Sequence, residues 1–401
     1  MADTFRSSGS GGDSLSMFLN KLYALAAEGR PGLKAFGRML IADTPDDVEA
    51  VCKSPEIFNK DYGYVLALGR SRFSEDGTEW EVRRDITQPF YVEASRPQNR
   101  KDIAAVYGEH LGACDCADSI DVRDSVLGAS LSIFHRALGA DIPLSETMQL
   151  ADRMRGAARE LQRISLFGAA PLGRQAAVAN AKAVVAGVEA RCTGPLKTLM
   201  EDLNSRSKGL PGFAPVEEYI FNLFAGVETS VAVISWVIDR LGLDVDLQEE
   251  LAAEVRSGDE VCARLGCFIN ETMRYFPAIP LLVRRVAAET RLAGHPLRPG
   301  QHILVSLIGL HQNPRCWHRP AMFDPHRAEF RNDTYDRRAF LPFSTGARVC
   351  GGARLARMEV SEGVKAFLRL FRVRRSEAPI RVDFALAMRP DNWAKLTMAR
   401  R

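Results

Sequence analysis

A mostly helical α+β protein is what this sequence predicts, and three observations predict it. Helical periodicity dominates from about Pro97 to Lys208, in runs such as "ADRMRGAARELQRISLF" and "RQAAVANAKAVVAGVEARC". A longer pattern, "PVEEYIFNLFAGVETSVAVISWVIDRLG", is apolar nearly all round, opened by Pro215 and closed by Gly242, and so belongs at the centre of the fold. Strand-like text with β-branched residues and turn signals comes late, in "LLVRRVA", "TRLAGHPLRPGQHILVSLIGLH" and "IRVDFALAMR". Many helices followed by a smaller set of strands argue for a mainly α, α+β architecture.

The elements follow in chain order. Residues 1–14 are polar and rich in glycine and serine, which predicts a disordered N-terminus ahead of a single domain over 15–401. "SLSMFLNKLYALAAEG" has apolar residues at helical spacing, but Asn20 and Lys21 interrupt it. It reads as an amphipathic helix rather than a signal peptide or membrane anchor. An extended segment leads to Thr44-Pro45-Asp46-Asp47, a helix start whose apolar face is Val48, Val51 and Cys52. "DYGYVLALGRSRFSEDGTEW" reads as a loop, and "EWEVRRDITQPFYVEA" as a helix ending at Pro89. After the central pattern, "EVCARLGCFINETMRYFP" is a helix stopped by Pro277.

Composition narrows the function classes. Hydrophobic residues make up 46% and charged residues 26% of the chain, ordinary for a globular protein. A net charge of +3 is too small to argue for nucleic acid, and the basic residues are interleaved with acids. The eight cysteines are scattered with no stapled framework, which favours a reduced, cytoplasmic setting. Cys114 and Cys116 lack the second pair or the histidine of a zinc site and read as ordinary thiols. No glycine fingerprint follows a strand, so no nicotinamide or flavin domain is expected.

The chemistry concentrates in "AFLPFSTGARVCGGARLARME", Ala339 to Glu359. Cys350 stands among Gly346, Gly351 and Gly352, with Arg348 two residues upstream. Glycine permits close backbone approach, so this loop can bring a flat group to the sulfur. The N–H groups of a following helix start can stabilise a thiolate. In the central pattern, Glu228 and Thr229 place an acid and a hydroxyl in apolar surroundings, which is expensive unless both are satisfied. Glu271 and Arg274 lie one turn apart on one helix face. "FDPHR", ending at Arg327, falls between that helix and the cysteine loop.

In this order and at these separations, Trp80-x-x-x-Arg84, Glu228-Thr229, Glu271-x-x-Arg274, Arg327 and Phe343-x-x-Gly346-x-Arg348-x-Cys350-x-Gly352 closely resemble the signature set of the cytochrome P450 family. The resemblance runs from residue 80 to residue 359. It implies the P450 fold, a large helical lobe with a smaller β-rich lobe enclosing haem b. Cys350 is implied as the thiolate ligand, whose electron donation favours O–O cleavage. Thr229 is implied to hold oxygen by a hydrogen bond and Glu228 to relay protons, with the alternative that Thr229 bonds back to a helix carbonyl and Glu228 sits in a salt bridge. Glu271, Arg274 and Arg327 are implied as a buried structural network.

The same resemblance makes Trp80, Arg84, Arg285 and Arg348 candidates for the haem carboxylates, with Arg285 preferred to Arg284 from its place before "VAA". Phe343, Gly346 and Gly352 belong to the cofactor loop. Leu66, Leu68, Phe224, Ala225, Ile279, Leu281 and Met388 are candidates for a substrate pocket, with core packing as the competing reading for each. An apolar pocket fits a lipophilic substrate: terpenoid, steroid-like, fatty acyl or polyketide. The expected protein is a monomeric, O2-dependent monooxygenase without a membrane anchor. Its electrons come from a separate ferredoxin or flavodoxin, to which Arg337, Arg338, Arg354 and Arg357 present a positive face. A peroxide-driven peroxygenase and a haem-based sensor or carrier are the alternatives; the Glu228-Thr229 pair argues against both.

Overall fold

The computed structural model of the protein describes residues 14–114, 119–167, 170–258, 261–376, 380, 382–385, 387–391 and 393–401. The expectation of disorder before residue 14 and the question of Cys116 both lie outside those residues. Among the described residues there are fourteen α-helices: α1 (Ser14–Ala27), α2 (Pro45–Lys53), α3 (Gly77–Ala94), α4 (Arg100–Ala113), α5 (Ser119–Ala137), α6 (Leu144–Phe167), α7 (Pro171–Glu189), α8 (Gly194–Arg206), α9 (Pro215–Leu241), α10 (Val245–Arg256), α11 (Ala263–Tyr275), α12 (Leu307–His311), α13 (Ala328–Arg331) and α14 (Ala353–Leu370). The strands are β1 (Lys34–Phe36), β2 (Met39–Ala42), β3 (Phe58–Lys60), β4 (Leu281–Val286), β5 (Thr290–Leu292), β6 (His295–Leu297), β7 (His302–Ser306), β8 (Phe371–Arg375), β9 (Val382–Ala385), β10 (Ala387–Pro390) and β11 (Leu396–Arg400).

Local chemistry explains the helix starts. Thr44 caps α2 by accepting from the Asp47 N–H at 3.2 Å, and its hydroxyl donates back to the Asp47 carboxylate at 2.7 Å. Pro215 opens α9, where its missing N–H costs nothing. One boundary differs from the sequence reading: α3 does not end at Pro89 but continues to Ala94. Tertiary bonds hold the turn beyond the proline, since Tyr91 is buried and its hydroxyl donates to Asn222 of α9 at 2.7 Å. Those contacts outweigh the lost backbone bond at Pro89.

The larger core is helical, with α9 running through it against α5, α14 and α11. By length and composition α9 could cross a membrane, but 83% of its most apolar window is buried inside the fold. The smaller lobe is a mixed five-stranded sheet of order β1-β2-β7-β4-β3, in which only β2 and β7 pair in parallel. A second core joins this sheet to α1 and α9 through Trp236, which stacks on Phe276 at 4.1 Å and donates to the Met388 carbonyl at 2.9 Å. The junction of the two lobes holds the site.

Candidate active site

A cavity of about 470 Å³ lies between α9 on one side and the Cys350 loop with α14 on the other. That size is within the usual range for a small-molecule or cofactor site. Cys350 lines it, and the exposed surface of that residue opens onto the cavity. The loop is fixed by its backbone: the Cys350 N–H donates to the Phe343 carbonyl at 2.9 Å, and a 3₁₀ turn spans Gly346–Arg348. Gly346 sits at φ +73°, and a Cβ there would collide with the Cys52 carbonyl, so glycine is required. Burial pushes the Cys350 thiol up in pKa, while the Gly352 N–H and the Arg72 guanidinium act the other way.

One end of the cavity is cationic. Lys60, Arg72, Arg284 and Arg348 all line it. Arg348 is buried against the Trp80 ring, 3.9 Å from its centroid, and pairs with Asp76. Its Nε and Nη1 groups are buried without an acceptor. Burial lowers the Arg348 pKa, and Arg284 adds to the effect. Burial, with Arg348 and Arg284 nearby, pushes the Lys60 ammonium well below its ordinary value. Buried, mutually repelling cations with spare donors call for an anion.

The opposite wall comes from α9, where Phe224, Ala225, Gly226, Glu228 and Thr229 line the cavity. The Thr229 hydroxyl donates to the Ala225 carbonyl one turn back at 2.8 Å. Glu228 is buried and held by Arg155 of α6 at 2.7 and 3.1 Å, with Arg389 of β10 at 3.6 Å. Both residues are therefore satisfied in the way the alternative reading described. Thr229 keeps its oxygen lone pairs for a donor in the cavity.

Away from the cavity, Glu271 receives Arg274 at 2.7 and 2.8 Å and Arg327 at 2.7 and 3.2 Å, all three side chains being buried. Arg274 also donates to the His311 carbonyl at 2.7 Å, and the His311 Nε2 accepts the Leu341 N–H at 3.0 Å. Burial lowers the His311 pKa to about 3, with Arg274 helping, so its ring is neutral and free to accept. This relay ties the network to the strand of chain leading into the cysteine loop.

Several sequence-predicted positions fall elsewhere. Arg285 is exposed on the outer face of β4, opposite Asn59 and His302, while Arg284 is buried and faces the cavity. Alternation along a strand decides this, because neighbours point to opposite faces. The same parity puts Leu282 on the cavity and Leu281 into the core with α1. Arg84 pairs with Asp85 at 2.8 Å and lies over the Trp80 ring, 4.9 Å from its centroid. Leu66 is exposed, Leu68 packs in the helical core, and Met388 is buried beside Trp236, its neighbour Ala387 taking the cavity position. Trp80, Phe343, Gly352 and Ile279 line the cavity, whereas Gly346 shapes the loop without lining it. Sequence reasoning missed Lys60 and Arg72, whose only signal was basic residues flanking an aromatic loop.

Comparison with known proteins agrees with this geometry. A family profile described as cytochrome P450 matches residues 216–396. Cytochrome P450 4X1 of Mus musculus is 35% identical over 167 residues, which is 38% of this chain and 32% of that protein. Cytochrome P450 4V2 of Homo sapiens is 30% identical over 201 residues, 45% of this chain and 38% of that one. The match thus spans about a third of the length of these curated relatives. These matches support a member of the cytochrome P450 family. Its fold matches solved P450 structures over most of the chain. A zebrafish cytochrome P450 solved with abiraterone gives a TM-score of 0.70 at 20% identity, over 95% of this chain and 98% of that one. A six-coordinate cytochrome P450 from Thermus thermophilus gives 0.70 at 22% identity, over 95% and 98%. A P450 carries haem with a cysteine thiolate axial ligand. The site fits that group: a thiol faces the cavity, the wall above it is apolar, and the cationic end holds unpartnered donors for two carboxylates.

Proposed function

We propose that this P450 is a monooxygenase that inserts one oxygen atom from O2 into a lipophilic small molecule, with electrons from a separate redox protein. The observation that carries this reading is the cavity itself, with Cys350 on one wall and Thr229 on the other. Haem bound there supplies oxygen activation and atom transfer to a C–H or C=C bond. The remaining chemistry belongs to the chain. Cys350 would hold the iron, with the Gly352 N–H stabilising the sulfur charge. Arg348, Arg284 and Lys60, which line the cationic end, would hold the haem carboxylates. Thr229, on the cavity wall, would accept a hydrogen bond from a proton donor there, and Gly226 lets the α9 backbone pack close to Phe134. Phe221, Phe224, Ala278 and Ile279 give the apolar surface for substrate.

Redox docking rests on fewer charges than the sequence offers. Arg337 is paired with Asp333 and Arg338 with Asp46 and Asp336. Arg354 and Arg357 of α14, beside the loop, carry the positive face in this reading, Arg357 lying over Phe343 at 4.6 Å. The Glu228 ion pairs favour one other reading, a peroxide-driven reaction, because an acid held by two arginines is a poor proton shuttle. The test is a titration of the ferric haem band with terpenoids, steroids, fatty acids and polyketides. A saturable shift supports the pocket and gives its substrate class; no shift with any of them counts against the substrate reading. Product formed with partner and reductant, but not with peroxide alone, separates the two reactions.

A further inference from the structure

We propose that Arg72 is a fixed counter-charge beside the Cys350 sulfur, a positioning residue that sets how readily a cysteine-bound iron takes up an electron. The proposal rests on the haem–thiolate site and not on the substrate or redox-docking reading.

Arg72 stands in none of the sequence motifs. Of the four cations at the cationic end of the cavity, Arg348, Arg284 and Lys60 suffice for the two haem carboxylates, and Arg72 is left over. Its guanidinium lies against the cysteine loop instead. Nη1 donates to Thr87 Oγ1 at 2.9 Å and Nη2 to Gln88 Oε1 at 3.1 Å, both on α3. The Gln88 amide then donates to the Gly351 carbonyl at 2.9 Å, tying α3 to the residue after the cysteine. Neither partner of the guanidinium is charged, and among the described residues it forms no ion pair. Its charge therefore acts on Cys350 without a carboxylate to cancel it.

Gly351 makes the room. Its φ lies outside the left-handed region, so the backbone does not ask for glycine there. Space does: a Cβ at 351 would sit 2.6 Å from Arg72 Nη2 and would also strike Gln88 Oε1. Any side chain next to the cysteine would push the guanidinium away. The main chain of Arg72 is held as firmly. Its N–H is shared between the two carboxylate oxygens of Glu218 on α9, at 3.2 and 3.3 Å, and its carbonyl accepts from Lys60 at 3.0 Å. Glu218 is fully buried and paired with Arg83 at 2.9 Å. An arginine so anchored keeps both its place and its charge.

Electron donation from sulfur makes a bound iron harder to reduce. A positive charge beside the sulfur offsets that donation, the more so away from water. One electron enters the iron from a redox protein or a chemical reductant, and no bond in the protein forms or breaks.

The test is the ferric–ferrous midpoint potential of the substrate-free holoenzyme, with the C–O stretch of its ferrous carbonyl complex as a second reading. Arg72→Gln should lower the reduction equilibrium constant about tenfold, which is about 59 mV for one electron. It should also move the C–O stretch to lower wavenumber, as more sulfur charge reaches the iron. Arg72→Lys should recover most of both shifts, which a merely structural role would not produce. Gly351→Ala should lower the potential in the same direction, and adding it to Arg72→Gln should lower it no further. An unmoved potential in Arg72→Gln overturns the proposal. So does haem lost as fast as from Arg348→Leu with the potential unchanged, which would make Arg72 a carboxylate ligand. A wild-type ferrous carbonyl complex lacking the absorption of a thiolate ligand would overturn the Cys350 assignment and this proposal together.

Discussion

The Glu271 network and the Arg348 corner are two buried arginine clusters built to opposite ends. Around Glu271, both carboxylate oxygens are taken up by Arg274 and Arg327, whose remaining N–H groups go to the carbonyls of His311, Pro320, Met322 and His318. At Arg348, two buried N–H groups have no acceptor, and Lys60 and Arg284 crowd the same space. A saturated ionic cluster is closed and can only be scaffold. An unsaturated one holds its strain until an anion arrives, which is the signature of a binding site.

The sharpest break in that contrast is Glu271→Ala. It leaves two buried guanidinium groups unpaired and should cost roughly 3–5 kcal/mol. Urea unfolding should show the loss, and the variant should purify with little haem; normal haem occupancy would falsify the scaffold assignment. Next in size is the pH dependence set by Glu359, a buried acid outside either arginine cluster. Its folded pKa, about 7, stands above the ordinary 4.5, so the folded state keeps a proton that the unfolded state has lost. Its contribution is fully favourable below pH 4.5 and is lost as pH rises to about 7. The loss amounts to about 3 kcal/mol by pH 8. Glu359→Gln should abolish this dependence, as read from denaturation midpoints at pH 5 and pH 8.

Arg348→Leu should reverse the sign seen at Glu271. The haem-free protein should unfold within about 1 kcal/mol of wild type, because the lost pair with partly exposed Asp76 is offset by removal of a buried cation with two unmet donors. Haem affinity should drop at least tenfold, about 1.4 kcal/mol, measured by haem transfer to an acceptor globin. Equal haem retention would remove Arg348 from the carboxylate site. The smallest effect separates two neighbours: Arg284→Ala should weaken haem retention, whereas Arg285→Ala should stay within about 0.5 kcal/mol in stability and keep its haem. The reverse ranking would overturn the strand parity described for β4.

Much of the site was legible because it is local in sequence. The cysteine loop shows its glycine at φ +73° and its helix start within a dozen residues, and Glu271 with Arg274 is one helical turn. What was not legible needed a partner from far along the chain. Arg155 and Arg389 reach Glu228 from 73 and 161 positions away, so the sequence could not say whether Glu228 was free or held. Pro89 looked like a helix end because local rules see the missing N–H but not the Tyr91–Asn222 bond that carries α3 onward.

By itself the sequence determined the helical character of the chain and the local setting of Cys350, because spacing within a few residues fixes turns, caps and helix faces; the ligand role of that cysteine is what the family resemblance implies. Only the tertiary structure decided which of two adjacent arginines faces the cavity, that Lys60 and Arg72 join it, and that Glu359 is buried among hydroxyls rather than cations. Those outcomes depend on strand parity, on pairing between distant segments and on local dielectric, and each is set by where the chain folds back on itself.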